Sequence, residues 1–210
     1  MIFKDRIDAA NQLAKKLDNY KNTNAIILAI PRGGIPLGHI IAKQLNLPLQ
    51  IVLSKKIGHP LHKEYAIGAV TLKGLVLSDA ASEVSQHYIE EETENIRKLL
   101  RKRYEDYYGK KRALDFKDKV LIIVDDGIAT GNTILSTIEM LHDEKPKEII
   151  IAIPVAPRST LEKLQKNAFV NNVICIYAPT DFRAVGQFYQ NFDQVDDSKV
   201  KELLSKTTTS

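Results

Sequence analysis

Hydrophobic positions change their period repeatedly along this chain. In FKDRIDAANQLAKKLDNY, Ile7, Ala10, Leu13, Ala14 and Leu17 recur at helical spacing and predict a helix with that apolar face. NAIILAI follows as a short unbroken apolar run, the pattern of a strand buried on both faces. IPLGHIIAKQLN returns to helical spacing and LPLQIVLS to a strand, so the first quarter runs α-β-α-β. KKIGHPLHKEYAIGAV is polar, glycine-bearing and without a clean period; it predicts a loop leading into a hairpin over AIGAVTLKGLVLS. Ser82 to Tyr108 predicts the longest helix, with Val84, Tyr88, Ile96, Leu100 and Tyr104 as its apolar stripe. Strand and helix then alternate through KVLIIV, TILSTIEMLHD, KEIIIAIPV, RSTLEKLQKN and NNVICIYA. DFRAVGQFYQNFDQV is aromatic and loop-like, DDSKVKELLS predicts a closing helix, and the terminal TTTS is expected to fray.

This alternation predicts an α/β fold with a doubly wound, mostly parallel sheet covered on both sides. A length of 210 residues suits one domain. The net charge of +4 is carried by scattered Lys and Arg, and the basic run Arg97–Arg103 directly follows the acidic run Glu90–Glu94. Acids early and bases late complement a helix dipole, so no nucleic-acid partner is expected. The lone Cys175 excludes an intrachain disulfide and fits a reducing compartment. No apolar stretch approaches membrane-spanning length and MIFKDRIDAA is too charged for a signal peptide; the expectation is a soluble cytoplasmic protein with no membrane partner.

The chemistry concentrates in VLIIVDDGIATGNTI, Val120 to Ile134. A buried strand ends on two like charges at the sheet edge where open α/β folds bind ligands. Thr130, Gly131, Asn132 and Thr133 stand where the next helix begins, a natural phosphate site. Carboxylates beside a phosphate would repel it, so Asp125 and Asp126 should face another part of the ligand. They can only accept hydrogen bonds, and vicinal sugar hydroxyls suit them. Together these point to a ribose 5-phosphate. A Walker A loop lacks its lysine here, and a dinucleotide fingerprint carries no acidic pair. A plain turn is the remaining alternative.

The stretch resembles the phosphoribosyl diphosphate (PRPP) signature of type I phosphoribosyltransferases: an apolar run, two acids, two mostly apolar residues, a variable position and Thr-Gly-x-Thr. The resemblance implies that family's fold. It puts Asp125 and Asp126 on the ribose 2- and 3-hydroxyls, and Gly127, Ala129, Thr130, Gly131, Asn132 and Thr133 around the 5-phosphate. FKDRIDAANQLAKKL, KKIGHPLHKEYAIGAV, DDGIATGNT and FRAVGQFYQNFDQVDD extend the likeness almost end to end, to an uncharacterised group of predicted phosphoribosyltransferases. Membership of that group does not identify an acceptor base.

Other segments follow from the same resemblance. In IPRGGIPLG, Arg32 offers a cation and Gly33 and Gly34 let amides approach an anion. A tight turn would look the same alone; the family places a pyrophosphate loop there, often with a cis peptide, here near Pro31–Arg32. SKKIGHPLHKEYAIGAV resembles the flexible lid, with Lys55 and Lys56 toward a departing pyrophosphate and His59, His62, Lys63 and Glu64 nearby. A solvated charged loop is the alternative, and no further ligand cluster supports zinc. YAPTDFRAVGQFYQNF corresponds to the hood over the base. Phe182, Phe188 and Tyr189 would stack on that base or form a satellite core; Arg183 and Asp193 are candidates without roles.

Hypoxanthine-guanine phosphoribosyltransferases carry an acid before Thr-Gly, where this chain has Ala129, so Glu64 becomes the nominee for a general base. The expected segments of a single domain over 1–210 are a core over about 20–178, a lid over about 54–78, the long helix over about 82–108 and a hood over about 178–195 together with the C-terminal helix. The long helix departs from the smallest family members. It is either a solvated amphipathic helix packed on the sheet, or a dimer contact or lid support. The implied cofactor is Mg²⁺ carried by PRPP, without a dedicated metal site. The expected partners are PRPP and a small-molecule acceptor. The oligomeric state is open, although dimers are common in the resembled family. The implied activity moves the 5-phosphoribosyl group from PRPP to a nitrogen base or other nucleophile, releasing pyrophosphate, with Arg32, Lys55, Lys56 and Glu64 as catalytic candidates. The alternative is a non-catalytic PRPP- or nucleotide-binding regulator with the same fold.

Overall fold

The computed structural model describes residues 3–109 and 114–207; the terminal Thr208–Ser210, expected to fray, lie outside them. Five strands form a parallel sheet: β1 (Ala25–Ala29), β2 (Leu49–Ile51), β6 (Val120–Val124), β7 (Glu148–Val155) and β8 (Asn172–Tyr177), in the order β2-β1-β6-β7-β8. Their alternate residues feed two separate cores. Ile27, Ile122 and Ile150 pack under α1 (Arg6–Lys16) and α2 (Gly34–Leu45), while Ile26, Ile123 and Ile151 pack under α4 (Asn132–His142) and α5 (Arg158–Gln165). Burial on both faces is why these strands read as unbroken apolar runs.

The chain winds from β1 to β2 in one direction and from β6 to β7 in the other. The register pairs Ala29 with Val124, so the loops leaving β1 and β6 emerge side by side. This reversal is the switch point at which open α/β sheets bind ligands.

A second, antiparallel sheet joins β3 (Ser54–Gly58), β4 (Ala66–Thr71) and β5 (Leu75–Leu77). The predicted β4–β5 hairpin is present, but residues 54–58 are a strand where the polar pattern predicts a loop. Lys55 and Lys56 are both exposed, and the pairing with β4 shifts register between Ile57 and Gly58, so no alternation was visible.

The long helix α3 (Gln86–Tyr108) begins four residues later than predicted, after a 3₁₀ turn over Asp79–Glu83 and a cap in which Ser85 Oγ accepts the Tyr88 N–H. Its buried positions are Ile89, Thr93, Ile96, Leu100, Tyr107 and Tyr108, whereas Val84, Tyr88 and Tyr104 are partly buried at the margin. It packs on β3, β4 and the closing helix α6 (Asp197–Ser205), and at its end the Tyr108 hydroxyl accepts the Ile51 N–H of β2 at 3.0 Å, so it supports the small sheet and touches the edge of the large one.

In α1 the buried residues are Ala9, Ala10, Leu13 and Ala14, followed by Leu17, and Ile7 is 57% exposed. The stripe is rotated from the predicted one. At about 100° per residue Ile7 falls roughly 90° from its centre, and Arg6 falls almost on it.

Candidate functional site

The site begins with the loop after β6. Asp125 Oδ1 accepts the Asp126 N–H at 2.9 Å, which leaves Oδ2 without a protein donor among the described residues. Asp126 is buried, and its Oδ2 accepts from Arg6 Nε at 2.9 Å and lies 2.8 Å from Arg6 Nη2. Each acid therefore keeps one oxygen with spare acceptor capacity, a pattern suited to two neighbouring hydroxyls. Burial, then the neighbouring Asp126 charge, pushes the Asp125 carboxyl well above the usual carboxylate range. Burial also raises Asp126, against the pull of the Arg6 guanidinium.

Beyond the acids the loop turns through Gly131, whose φ of +80° is a left-handed conformation that favours glycine. Helix α4 then starts with no side-chain cap, and Thr130, Asn132 and Thr133 are exposed around its open end. Its first amides are free to meet an anion. Ala129 is exposed, but its carbonyl is turned inward to accept from the buried Thr160 hydroxyl at 2.6 Å, which fixes the loop.

The loop after β1 closes on this one. The Pro31–Arg32 peptide is cis. A Cβ on Gly33 would stand 2.1 Å from Asp126 Oδ2, and one on Gly34 would stand 2.6 Å from the Val124 carbonyl oxygen. Only glycine lets the backbone of this loop lie against the acid pair. Arg32 is exposed, with Nη1 3.9 Å from Asp197 Oδ1 at the start of α6. That carboxylate also accepts from the Tyr107 hydroxyl of α3 at 2.6 Å, and burial together with this bond raises the Tyr107 phenol to about 12. The cleft between the loops holds about 470 Å³ and is lined by Arg6, Arg32, Gly33, Asp125, Asp126 and Phe192 among others.

The other nominated residues are spread more widely. Lys55 and Lys56 are consecutive in a strand and so point to opposite sides. Lys55 lines a neighbouring cleft with Arg103, Tyr107 and Asp197, and through Asp197 adjoins Arg32. Lys56 instead pairs with Glu64 at 2.9 Å; Glu64 is almost fully exposed, and the bond from Lys56 holds its carboxyl below the ordinary range. His59 and His62 stack at 5.8 Å, but no cluster of three or more metal-ligating side chains occurs among the described residues.

In the hood, Phe188 and Tyr189 are 5% and 6% exposed. Phe188 packs against Phe182 and Tyr177, and Tyr189 against Phe3, so this conformation presents neither ring to the cleft. Tyr189 instead donates its hydroxyl to the Asp126 carbonyl at 2.6 Å and braces the acid loop from below. Phe192, 37% exposed, is the aromatic that faces the cleft. Arg183 is exposed and pairs with Asp181; Asp193 contributes its backbone carbonyl, which accepts from Arg6 Nη1 at 2.7 Å.

Arg6, Phe192, Tyr107 and Asp197 were not nominated from sequence. Arg6 had a detectable signal, a charge at the centre of an apolar helical stripe. The other three had none.

The fold is a doubly wound parallel sheet whose switch point brings together a Gly-Gly loop, an acid pair and an open helix N-terminus, at the sheet edge where such folds bind ligands. More narrowly, the chain belongs to the phosphoribosyl transferase domain family, whose model matches residues 2–189. It is similar to a Mycobacterium tuberculosis protein that carries the provisional name phosphoribosyl transferase Rv0571c, with 30% identity over 217 residues, 98% of this chain and 47% of that protein. The chain thus spans about half the length of the curated relatives it matches. It is also similar to the crystal structure of TT1426 from Thermus thermophilus, at 34% identity and a TM-score of 0.85 over 97% of this chain and 98% of the other. Among the described residues no helix is long and apolar enough to cross a membrane.

Proposed function

We propose that the protein transfers the 5-phosphoribosyl group of PRPP to a nitrogen nucleophile and releases pyrophosphate. One observation carries this reading: the Gly33 backbone lies directly against the Asp126 carboxylate, so the Gly-Gly loop and the acid pair share one cleft. The free amides at the start of α4, with the Thr130 and Thr133 hydroxyls, hold the 5-phosphate. Asp125 and Asp126 accept the ribose hydroxyls. Arg32 and the Gly33 and Gly34 amides hold the diphosphate.

As the nucleophile's lone pair forms a bond to C1, the C1–O bond breaks and its electron pair leaves with pyrophosphate. Positive charge grows on the ribose beside the two acids, and negative charge grows on the leaving group beside Arg32. Lys55 adds a second cation at the cleft's outer edge when the small sheet closes as a lid. Lys56 is its neighbour on the opposite face. Mg²⁺ bound to the donor would supply charge neutralisation at the diphosphate, which Arg32 and the Gly33 and Gly34 amides would hold. The residues fit that role better than a resident metal cage, because one oxygen of each acid is already committed to a protein N–H donor. Glu64 is the nominee for accepting the acceptor's proton. Its bond to Lys56 weakens it as a base, so acceptors with an acidic N–H suit the site best.

The test is pyrophosphate release from PRPP and Mg²⁺ across a panel of purine and pyrimidine bases, with Asp125→Asn/Asp126→Asn as control. Release that depends on one base and falls at least about 100-fold in the control is expected. PRPP binding without release for any base would favour the regulator instead.

A further inference from the structure

Arg6 belongs to neither glycine loop and to no part of the small sheet. It stands at the first position of α1, behind a cap in which Asp5 accepts the Asp8 N–H at 2.8 Å. Two of its nitrogens reach Asp126 Oδ2, at 2.9 and 2.8 Å, and a third donates to the Asp193 carbonyl. Its guanidinium carbon lies 3.9 Å from the centre of the Phe192 ring. Both side chains of the ion pair are only 12% exposed, so solvent screens it far less than a surface pair.

The segment before Arg6 is fixed by the hood. The Phe3 N–H donates to the Phe188 carbonyl at 2.7 Å, the Gln190 N–H to the Phe3 carbonyl at 2.8 Å, and the Asn191 N–H to the Lys4 carbonyl at 3.0 Å. Anchored at both ends, the guanidinium is aimed at one carboxylate oxygen. Gly33 lies against the same carboxylate, where an added Cβ would stand 2.1 Å from Oδ2.

We propose that Arg6 is a positioning residue of the ribose site: it takes Asp126 Oδ2, supplies that carboxylate's counter-charge, and leaves Oδ1 to accept a ribose hydroxyl. This rests on the PRPP reading above. It adds a residue about 120 positions away from the acid loop, and it accounts for the opening Phe-Lys-Asp-Arg motif, in which Phe3 docks on the hood, Asp5 starts the helix, and Arg6 sets the acid.

The charged and titratable groups around Asp126 are Arg6 and Asp8 from α1, Asp125 from its own loop, Arg32 from the β1–α2 loop, and Tyr189 and Asp193 from the hood. Arg6 is the cation bonded to the carboxylate. Without it the Asp126 carboxyl keeps its proton to higher pH, and a protonated acid is a poorer acceptor.

Isothermal titration of Mg²⁺–PRPP into wild type, Arg6→Gln, Arg6→Lys, Asp126→Asn and the Arg6→Gln/Asp126→Asn double variant, from about pH 5.5 to 9, tests this. Arg6→Gln should weaken binding at neutral pH by at least about tenfold. Its acid-side loss of binding should begin at higher pH than in wild type, and Arg6→Lys should recover part of the affinity. In the Asp126→Asn background Arg6→Gln should cost little more, because the partner is already gone. Circular dichroism and Tm of each variant separate a binding defect from unfolding, and Arg6→Lys, which keeps the charge, covers the case in which Arg6→Gln does not fold. Wild-type affinity and an unshifted pH profile in the Arg6 variants would overturn the role of Arg6. A wild type that binds no PRPP at any pH would overturn the ribose reading, and the role of Arg6 with it.

Discussion

Two carboxylates at the end of a buried strand are a burden on the fold and an asset to the site. The raised Asp125 carboxyl holds its proton more tightly in the folded chain than in the unfolded one. Its contribution to stability is therefore full below the ordinary carboxylate range and is lost as pH rises through the raised value. At neutral pH, above the ordinary carboxylate range, the buried group therefore costs the fold stability. Asp125→Asn keeps the shape and can still accept the Asp126 N–H, but removes the charge. We expect it to raise Tm by a few degrees at neutral pH, with the gain shrinking toward acid, while it weakens PRPP binding. Thermal unfolding at several pH values, beside titration with PRPP, checks both halves; a lower Tm at neutral pH would contradict the assignment. The glycines of the two loops make a related point. Gly33 is required by the carboxylate beside it, and Gly131 by its own backbone angle.

At the scale of the element, caps and faces decide where side chains arrive. Asp5 begins α1, and that start puts Arg6 at the first position of the buried face. Asp5→Ala should cost about 1 kcal/mol in urea unfolding and loosen the first turn. It should also weaken PRPP binding, though less than Arg6→Gln, because the guanidinium loses its anchor rather than its charge. Equal PRPP affinity would show that the hood contacts of Phe3 and Lys4 hold the turn without its cap. Helix α6 plays a comparable part. Asp196 accepts the Lys199 N–H at 2.7 Å at its start, and the next residue, Asp197, meets both Arg32 and Tyr107. The long helix α3, ambiguous in sequence, is thus tied to the Arg32 side of the cleft through a residue on another helix.

Across the whole molecule the two sheets differ in kind. Strands β1, β2 and β6 of the large sheet are almost wholly buried, whereas β5 exposes Leu75 and Leu77 at 36% and 44%, and β3 exposes two lysines. Shallow burial predicts low local stability. In hydrogen exchange, amides of residues 54–77 should exchange faster than those of β1, β6 and β7. They should slow when Mg²⁺–PRPP is added, along with residues 30–34 and 125–133. Protection confined to the two loops would mean that the small sheet does not close over the ligand.

The sequence by itself determined the parallel α/β sheet, the acid-pair loop and the Gly-Gly loop. Burial on both faces writes itself as unbroken apolar runs, and phosphate and ribose chemistry needs particular residues at short, fixed spacing. It also pointed correctly to the β4–β5 hairpin, but not to β3, whose exposed face carries no alternation. Only the tertiary structure decided which distant groups complete the site. Arg6 and Asp126 are separated by 120 positions, Tyr107 and Asp197 by 90, and Tyr189 and Asp126 by 63. Periodicity reports whether a residue faces the core, not which partner waits there; that depends on how the hood and the N-terminal segment fold back over the strand ends.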